Sequence, residues 1–141
     1  MSRRTDRRHA FNLVFQMEFL DTAPEELYRR YFDGKLFEAD ELSLSANTDK
    51  DYVMGALQGI REHAQHIDRK IAELARGFTP ERLVKTDLAI LRLAVYELLY
   101  EAGVPPKVAI TEAVELSKVY SGGESPAFVN GLLGQLIRAK S

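Results

Sequence analysis

The sequence predicts an all-α fold, a compact helical bundle formed by a single domain of residues 1–141. Apolar residues recur at spacings of three and four along most of the chain, which is the period of an amphipathic helix. No segment shows the strict alternation of apolar and polar residues that is typical of a strand. The length of 141 residues, 45% of them hydrophobic, is enough for one core, and no repeat or linker indicates a second domain.

The first two helices are predicted from apolar residues that fall on one face. In the first helix these residues are Phe11, Val14, Phe15 and Phe19. Residues 21–24 interrupt this pattern, and a second helix is expected over 24–32, ended by Gly34. The polar and acidic stretch 38–47 indicates a connection or a short helix.

A long helix or a broken pair is predicted from Thr48, the expected N-cap, up to Gly77. Thr86 and Asp87 are expected to cap the next helix, whose interior over 88–100 is apolar on almost every face. A helix of this kind is surrounded by others, so we expect it at the centre of the bundle.

Two further helices complete the predicted bundle. One is expected over about 107–120, after the break at Gly103 and the two following prolines. The last helix is expected to open at Ser125-Pro126, after the Gly122-Gly123 break.

The charges are distributed unevenly. The formal net charge is −2, from 19 basic and 21 acidic residues. This excludes a nucleic-acid-binding protein that is basic along its whole length. Residues 1–9, however, carry four arginines and one aspartate, a net charge of +3, so the remainder carries −5. A basic arm over 1–9 on an acidic body indicates an anionic partner that binds at one end.

Several classes of protein have no support in the sequence. The absence of cysteine excludes disulfides, a thiol nucleophile and cysteine-ligated zinc. Neither a signal peptide nor a membrane-spanning run is predicted, so we expect a soluble, cytoplasmic protein. His63 and His66 share a helical face and are the best candidates for a metal site, but an exposed polar surface is the favoured interpretation. We therefore predict no catalytic residue, no metal and no cofactor.

The four arginines of the arm, Arg3, Arg4, Arg7 and Arg8, are the most informative candidates for binding. Spacings of four would place them in pairs on shared helical faces, where like charges repel and oppose the helix dipole. An RNA phosphate backbone would compensate this arrangement, and arginine-rich segments often order on RNA. The alternative is a disordered tail that only aids solubility.

The start of the last helix is a second candidate. The free backbone N–H groups after Gly122-Gly123 suit a phosphate, and Phe128, one turn further on, could stack an unpaired base. The alternative is an ordinary turn with Phe128 in the core.

Three segments carry a resemblance to a known family. Residues 86–100 (TDLAILRLAVYELLY), 104–118 (VPPKVAITEAVELSK) and 125–133 (SPAFVNGLL) resemble the NusB family of bacterial transcription antitermination factors. Residues 3–18 resemble the arginine-rich first helix of that family. The resemblance covers nearly the whole chain, is most specific over 86–133, and is weak from about 20 to 60.

The resemblance implies an all-helical protein that binds single-stranded boxA RNA together with the ribosomal protein NusE, within an antitermination complex with RNA polymerase that supports transcription of ribosomal RNA operons. The implied RNA-binding residues, with Arg8 added for its charge, are Arg3, Arg4, Arg7, Arg8, Lys107, Ser125 and Phe128. Phe15 and Asp87 match positions that meet NusE. Asp6, Arg8 and Ala127 depart from the family's usual alanine, glutamate and lysine.

Two other functions stay open at this point. The chain could be the NusB-like domain of an RNA cytosine methyltransferase, but that enzyme needs a cofactor-binding domain and a cysteine nucleophile that the sequence does not supply. It could also be a helical interaction module that binds no RNA. The sequence leaves open the oligomeric state (a homodimer included), the RNA bases read, the operons served and the role of residues 35–47.

Overall fold

The computed structural model of the chain describes residues 3–33, 48–76 and 80–140, and these residues contain helices but no strand. The all-α prediction is confirmed. The helices are α1 (Arg3–Phe19), α2 (Pro24–Asp33), α3 (Lys50–Glu62), α4 (Ala64–Ala75), α5 (Lys85–Tyr100), α6 (Pro106–Tyr120) and α7 (Ser125–Lys140), with a short 3-10 helix at Pro80–Arg82. The predictions for Gly34, for 35–47 and for Gly77 lie outside the described residues.

The chain divides into two compact units, residues 1–58 and 59–141, and α3 contributes to both. The expectation of a single domain stays a prediction. None of the described helices is long and apolar enough to cross a membrane.

In the first unit, α1 and α3 contribute most of the buried apolar residues, and α2 adds the rest. The predicted stripe of α1 is only partly buried: Phe11 and Val14 lie in the core, Phe15 is half-buried and Phe19 is 59% exposed. His9 Nδ1 lies 2.9 Å from the hydroxyl of Tyr31, which ties α1 to α2 inside this unit. The last turn of α1 therefore presents an apolar surface.

In the second unit, α5 is the central helix, as its apolar sequence predicts. It packs against α4, α6 and α7, and every residue from Asp87 to Leu98 except Arg92 is buried. The Nε and Nη2 atoms of Arg92 each donate a hydrogen bond of 2.9 Å to the carboxylate of Asp68 on α4. This two-point ion pair fixes α4 on α5.

The helix starts differ from three of the predicted caps. The N-cap of α3 is Asp49, not Thr48, since the Tyr52 N–H donates to Asp49 Oδ1 at 3.1 Å. Thr86 and Asp87 lie in the first turn of α5 and do not cap it, because Val84 is the N-cap residue. Ser125 is the first residue of α7 instead of its cap.

Candidate nucleic-acid interface

The four arginines of the arm lie on the first turns of α1, so the arm is a helix in this structure. Arg3, Arg4 and Arg8 are exposed, whereas Arg7 is only 4% exposed. Arg4 and Arg8 thus share an exposed face, as their spacing predicts. The burial of Arg7 is a feature that the spacing did not indicate.

Arg3 is held by two carboxylates of the first unit. Its Nη1 atom lies 3.3 Å from Asp6 Oδ2 and 3.2 Å from Asp49 Oδ2. Asp6 is buried at 4% exposure, and its Oδ1 accepts a hydrogen bond of 3.2 Å from the backbone N–H of Asp49. The same carboxylate therefore joins the arm to the start of α3.

The ring of Tyr52 lies beside the two arginines of this cluster. The guanidinium carbon of Arg3 is 4.3 Å from the ring centroid, and that of Arg7 is 6.0 Å away. These distances suit cation–π contacts. The hydrogen bond from the Tyr52 N–H and then the Arg3 guanidinium hold the pKa of Asp49 below its ordinary value, so Asp49 is charged at neutral pH.

Sequence reasoning missed both Asp49 and Tyr52 as members of this cluster. Asp49 directly follows the predicted cap Thr48, but its distance of 46 residues from Arg3 in sequence hides their contact. Only the tertiary fold of the first unit brings them together.

The second unit places three of the predicted site residues around one cavity. The cavity is about 250 Å³ in volume, and Asp87, Ser125 and Phe128 line it together with Arg82, Leu83, Val84 and Glu124. Phe128 is half-buried, so the predicted stacking surface is partly accessible. Lys107 lies exposed in the first turn of α6 and is not part of this cavity.

Two side-chain hydrogen bonds anchor the turn between α6 and α7 to the start of α5. Ser125 Oγ donates to Asp87 Oδ2 at 2.9 Å, and Ser121 Oγ donates to Thr86 Oγ1 at the same distance. Asp87 is 6% exposed, and its Oδ1 has no hydrogen-bond partner among the described residues. The role of Asp87 that the structure displays is to hold Ser125.

The other predicted partner residue, Phe15, lies on α1 in the first unit. Its ring is 6.4 Å from that of Phe11 and 5.1 Å from that of Phe19. Because Phe19 and Leu20 are 59% and 46% exposed, Phe15 borders an apolar surface that sequence reasoning did not assign.

The two histidines of the metal candidate contact the same tyrosine. The ring of His63 stacks on Tyr100 at 4.0 Å, and His66 Nδ1 lies 2.6 Å from its hydroxyl. Within the part of the chain that the structure describes, no three histidine, cysteine or acidic residues form a group that could hold a metal ion.

Comparison with known proteins decides the family. The model of the NusB family matches residues 4–138. The chain belongs to the NusB family. A transcription antitermination protein NusB from Acetivibrio thermocellus is 37% identical over 140 residues, which are 99% of this chain and 91% of that protein. A NusB from Clostridium botulinum (strain Kyoto / Type A2) is 39% identical over 97% of this chain and all of its own length.

Solved structures of NusB proteins have the same fold. The NusB of T. maritima is 32% identical and superposes with a TM-score of 0.81, over 98% of this chain and 92% of its own. A second structure contains the antitermination factors NusB and NusE in complex with double-stranded RNA. Its matching chain is 23% identical with a TM-score of 0.78, over 97% of this chain and 96% of its own, and this likeness concerns the fold alone.

Proposed function

We propose that this protein is an RNA-binding transcription antitermination factor that binds boxA RNA jointly with the ribosomal protein NusE. The observation that carries the proposal is the family match over residues 4–138, together with curated relatives that are named transcription antitermination proteins. A neighbour with the same fold forms a complex with NusE and double-stranded RNA, which supports both kinds of partner.

The RNA surface that we propose has two parts, each within one unit. In the first unit, the exposed Arg4 and Arg8 attract phosphates, and Arg3 is available when its carboxylate partners release it. In the second unit, Phe128 offers a half-buried ring to an unpaired base, next to Ser125 at the start of α7. Lys107 adds an exposed positive charge.

We propose one NusE contact in each unit, at Phe15 in the first unit and at Asp87 in the second. The ring of Phe15 contacts that of the exposed Phe19, and apolar residues of this kind often form the centre of a protein interface. Asp87 is too buried to offer a large contact area, so we assign its contribution to the shape of the cavity wall. Within the RNA polymerase antitermination complex, in the cytoplasm, the protein would act by assembly, with no catalytic residue and no cofactor.

The comparisons favour this function over the domain of an RNA cytosine methyltransferase. The matched relatives are named antitermination proteins and are covered over 91% and 100% of their own lengths. A helical module without RNA binding lacks a reason for the three exposed arginines near the start of α1, where positive charge is unfavourable.

A salt titration tests the RNA part of the proposal. Binding of a labelled single-stranded boxA RNA should weaken linearly in log–log form, with a slope of about 0.7 per phosphate contacted. The double variant Arg4→Ala/Arg8→Ala should flatten the slope by about 1.4 if each arginine contacts one phosphate. An unchanged slope would contradict the arm mechanism, and the variant Arg61→Ala/Arg69→Ala, at two exposed arginines of α3 and α4, serves as a charge-matched control.

A further inference from the structure

We propose that Asp49 sets the RNA affinity of the arginine arm by competing with RNA phosphate for Arg3, a role that rests on the proposed function. In the free protein, the carboxylates of Asp49 and Asp6 occupy the place that a phosphate would take beside this guanidinium. The arm is therefore a helix whose first arginine is already partly neutralised.

The geometry shows how Arg3 is engaged. Both carboxylates contact the same Nη1 atom, at 3.2 Å from Asp49 and 3.3 Å from Asp6. The Tyr52 ring lies 4.3 Å from the guanidinium carbon. Nη1 has two N–H donors and already contacts two carboxylates, so a phosphate that binds this atom competes with Asp6 and Asp49.

The charges around Arg3 also indicate that its guanidinium is partly neutralised. The cluster contains the guanidinium groups of Arg3 and Arg7 and the carboxylates of Asp6 and Asp49, so its formal net charge is zero. The net charge of +3 of residues 1–9 includes Asp6 but not Asp49, and it therefore overstates the attraction that Arg3 exerts on an RNA backbone.

Asp6 and Asp49 differ in their burial and in their other hydrogen bonds. Asp6 is buried and holds the backbone N–H of Asp49, so it belongs to the frame of the first unit. The side chain of Asp49 is 43% exposed, and its other oxygen accepts the N-cap hydrogen bond from Tyr52. Asparagine caps helices as well as aspartate does, so Asp49→Asn removes the charge and retains the helix start.

The experiment measures boxA RNA affinity and its salt slope for Asp49→Asn. An exposed ion pair of this kind contributes little, so the expected gain in affinity at low salt is about two- to five-fold. The salt slope should steepen by about 0.7, because Arg3 then contacts one more phosphate. Asp51→Asn is the control, since Asp51 is an exposed acid in the first turn of the same helix and removes the same charge.

A double-mutant cycle separates competition from a general change in charge. Arg3→Ala should cost little affinity in the wild-type protein and should cancel the gain in the Asp49→Asn protein. Equal effects of Asp49→Asn and Asp51→Asn, or additivity with Arg3→Ala, would overturn the inference and leave the proposed function intact. Failure of the wild-type protein and of Asp49→Asn to bind the RNA would overturn both.

Discussion

At the start of α7, the hydroxyl of Ser125 donates to the carboxylate of Asp87, a side chain of only 6% exposure. The second carboxylate oxygen has no hydrogen-bond partner among the described residues. A buried carboxylate that loses a hydrogen-bond donor is destabilised, because water does not replace the donor. Removal of the Ser125 hydroxyl should therefore lower the free energy of unfolding more than removal of a surface hydroxyl would. The RNA contact that we propose for Ser125 therefore uses the same hydroxyl that holds the start of α7 to Asp87.

We predict that Ser125→Ala lowers the free energy of unfolding by about 1–3 kcal/mol, since it leaves the buried Asp87 without this donor. Ser121→Ala is the matched control, because it removes a hydrogen bond of equal length to the neutral hydroxyl of Thr86. That change should cost about 0.5–1.5 kcal/mol. Urea unfolding of both variants measures the difference, and a cost for Ser125→Ala no larger than that for Ser121→Ala would contradict the assignment.

The side chains that sequence could identify are those whose role follows from local spacing. Arg4 and Arg8 lie on one exposed face because they are four residues apart on a helix. Arg3 contacts Asp49, 46 residues away in sequence, and Ser125 is hydrogen-bonded to Asp87, 38 residues away. Composition and periodicity cannot predict pairs that are so far apart in sequence.

Among the helices, α3 contains two glycines, Gly55 and Gly59, that have different surroundings. A Cβ atom added at Gly59 would lie 2.2 Å from Cε1 of Tyr96 on α5, while one added at Gly55 would meet nothing within 4 Å. Tyr96 is 6% exposed and its hydroxyl donates to Glu101 at 2.8 Å, so its ring has little room to move. Gly59 is thus the position at which α3 approaches α5.

We predict that Gly59→Ala destabilises the protein by about 1–3 kcal/mol, as an overpacked contact does. Gly55→Ala, on the same helix, should instead be neutral or stabilise it by up to about 1 kcal/mol, because alanine is the better helix former. Thermal or urea unfolding of the pair checks the prediction. Equal stabilities of the two variants would show that Tyr96 yields to the added methyl group.

The order of the helices among the described residues follows from apolar periodicity, which left open whether one helix or a pair follows Thr48; the structure has the pair, α3 and α4. The start of α2 at Pro24 agrees with the prediction, whereas the predicted caps of α3, α5 and α7 were wrong. The central position of α5 was predicted because almost all of its faces are apolar, and its burial confirms this. The cap predictions at Thr86 and Ser125 were wrong because their hydroxyls, which could cap a helix, instead form hydrogen bonds to other segments. A cap depends on backbone direction, which a single residue type does not encode.

For the molecule as a whole, the net charge of −2 combines local charges of opposite sign. The structure reduces the positive charge that the arm offers to a partner. The arm is an ordered helix in which Arg3 is paired and Arg7 is buried, so its effective positive surface consists of fewer side chains than its composition suggests. Affinity for RNA alone should then be moderate. A second partner that binds at the same time would supply the remaining free energy through multivalency.

The measurement that tests the central claim most directly is the affinity for labelled boxA RNA with and without purified NusE. If the protein is a joint adaptor, NusE at saturating concentration should lower the dissociation constant by about 5–150-fold, the usual range of coupling between two sites. Phe19→Ser, in the exposed apolar surface beside Phe15, should reduce this gain and leave RNA binding without NusE unchanged. RNA affinity that is the same in the presence and absence of NusE would contradict the account.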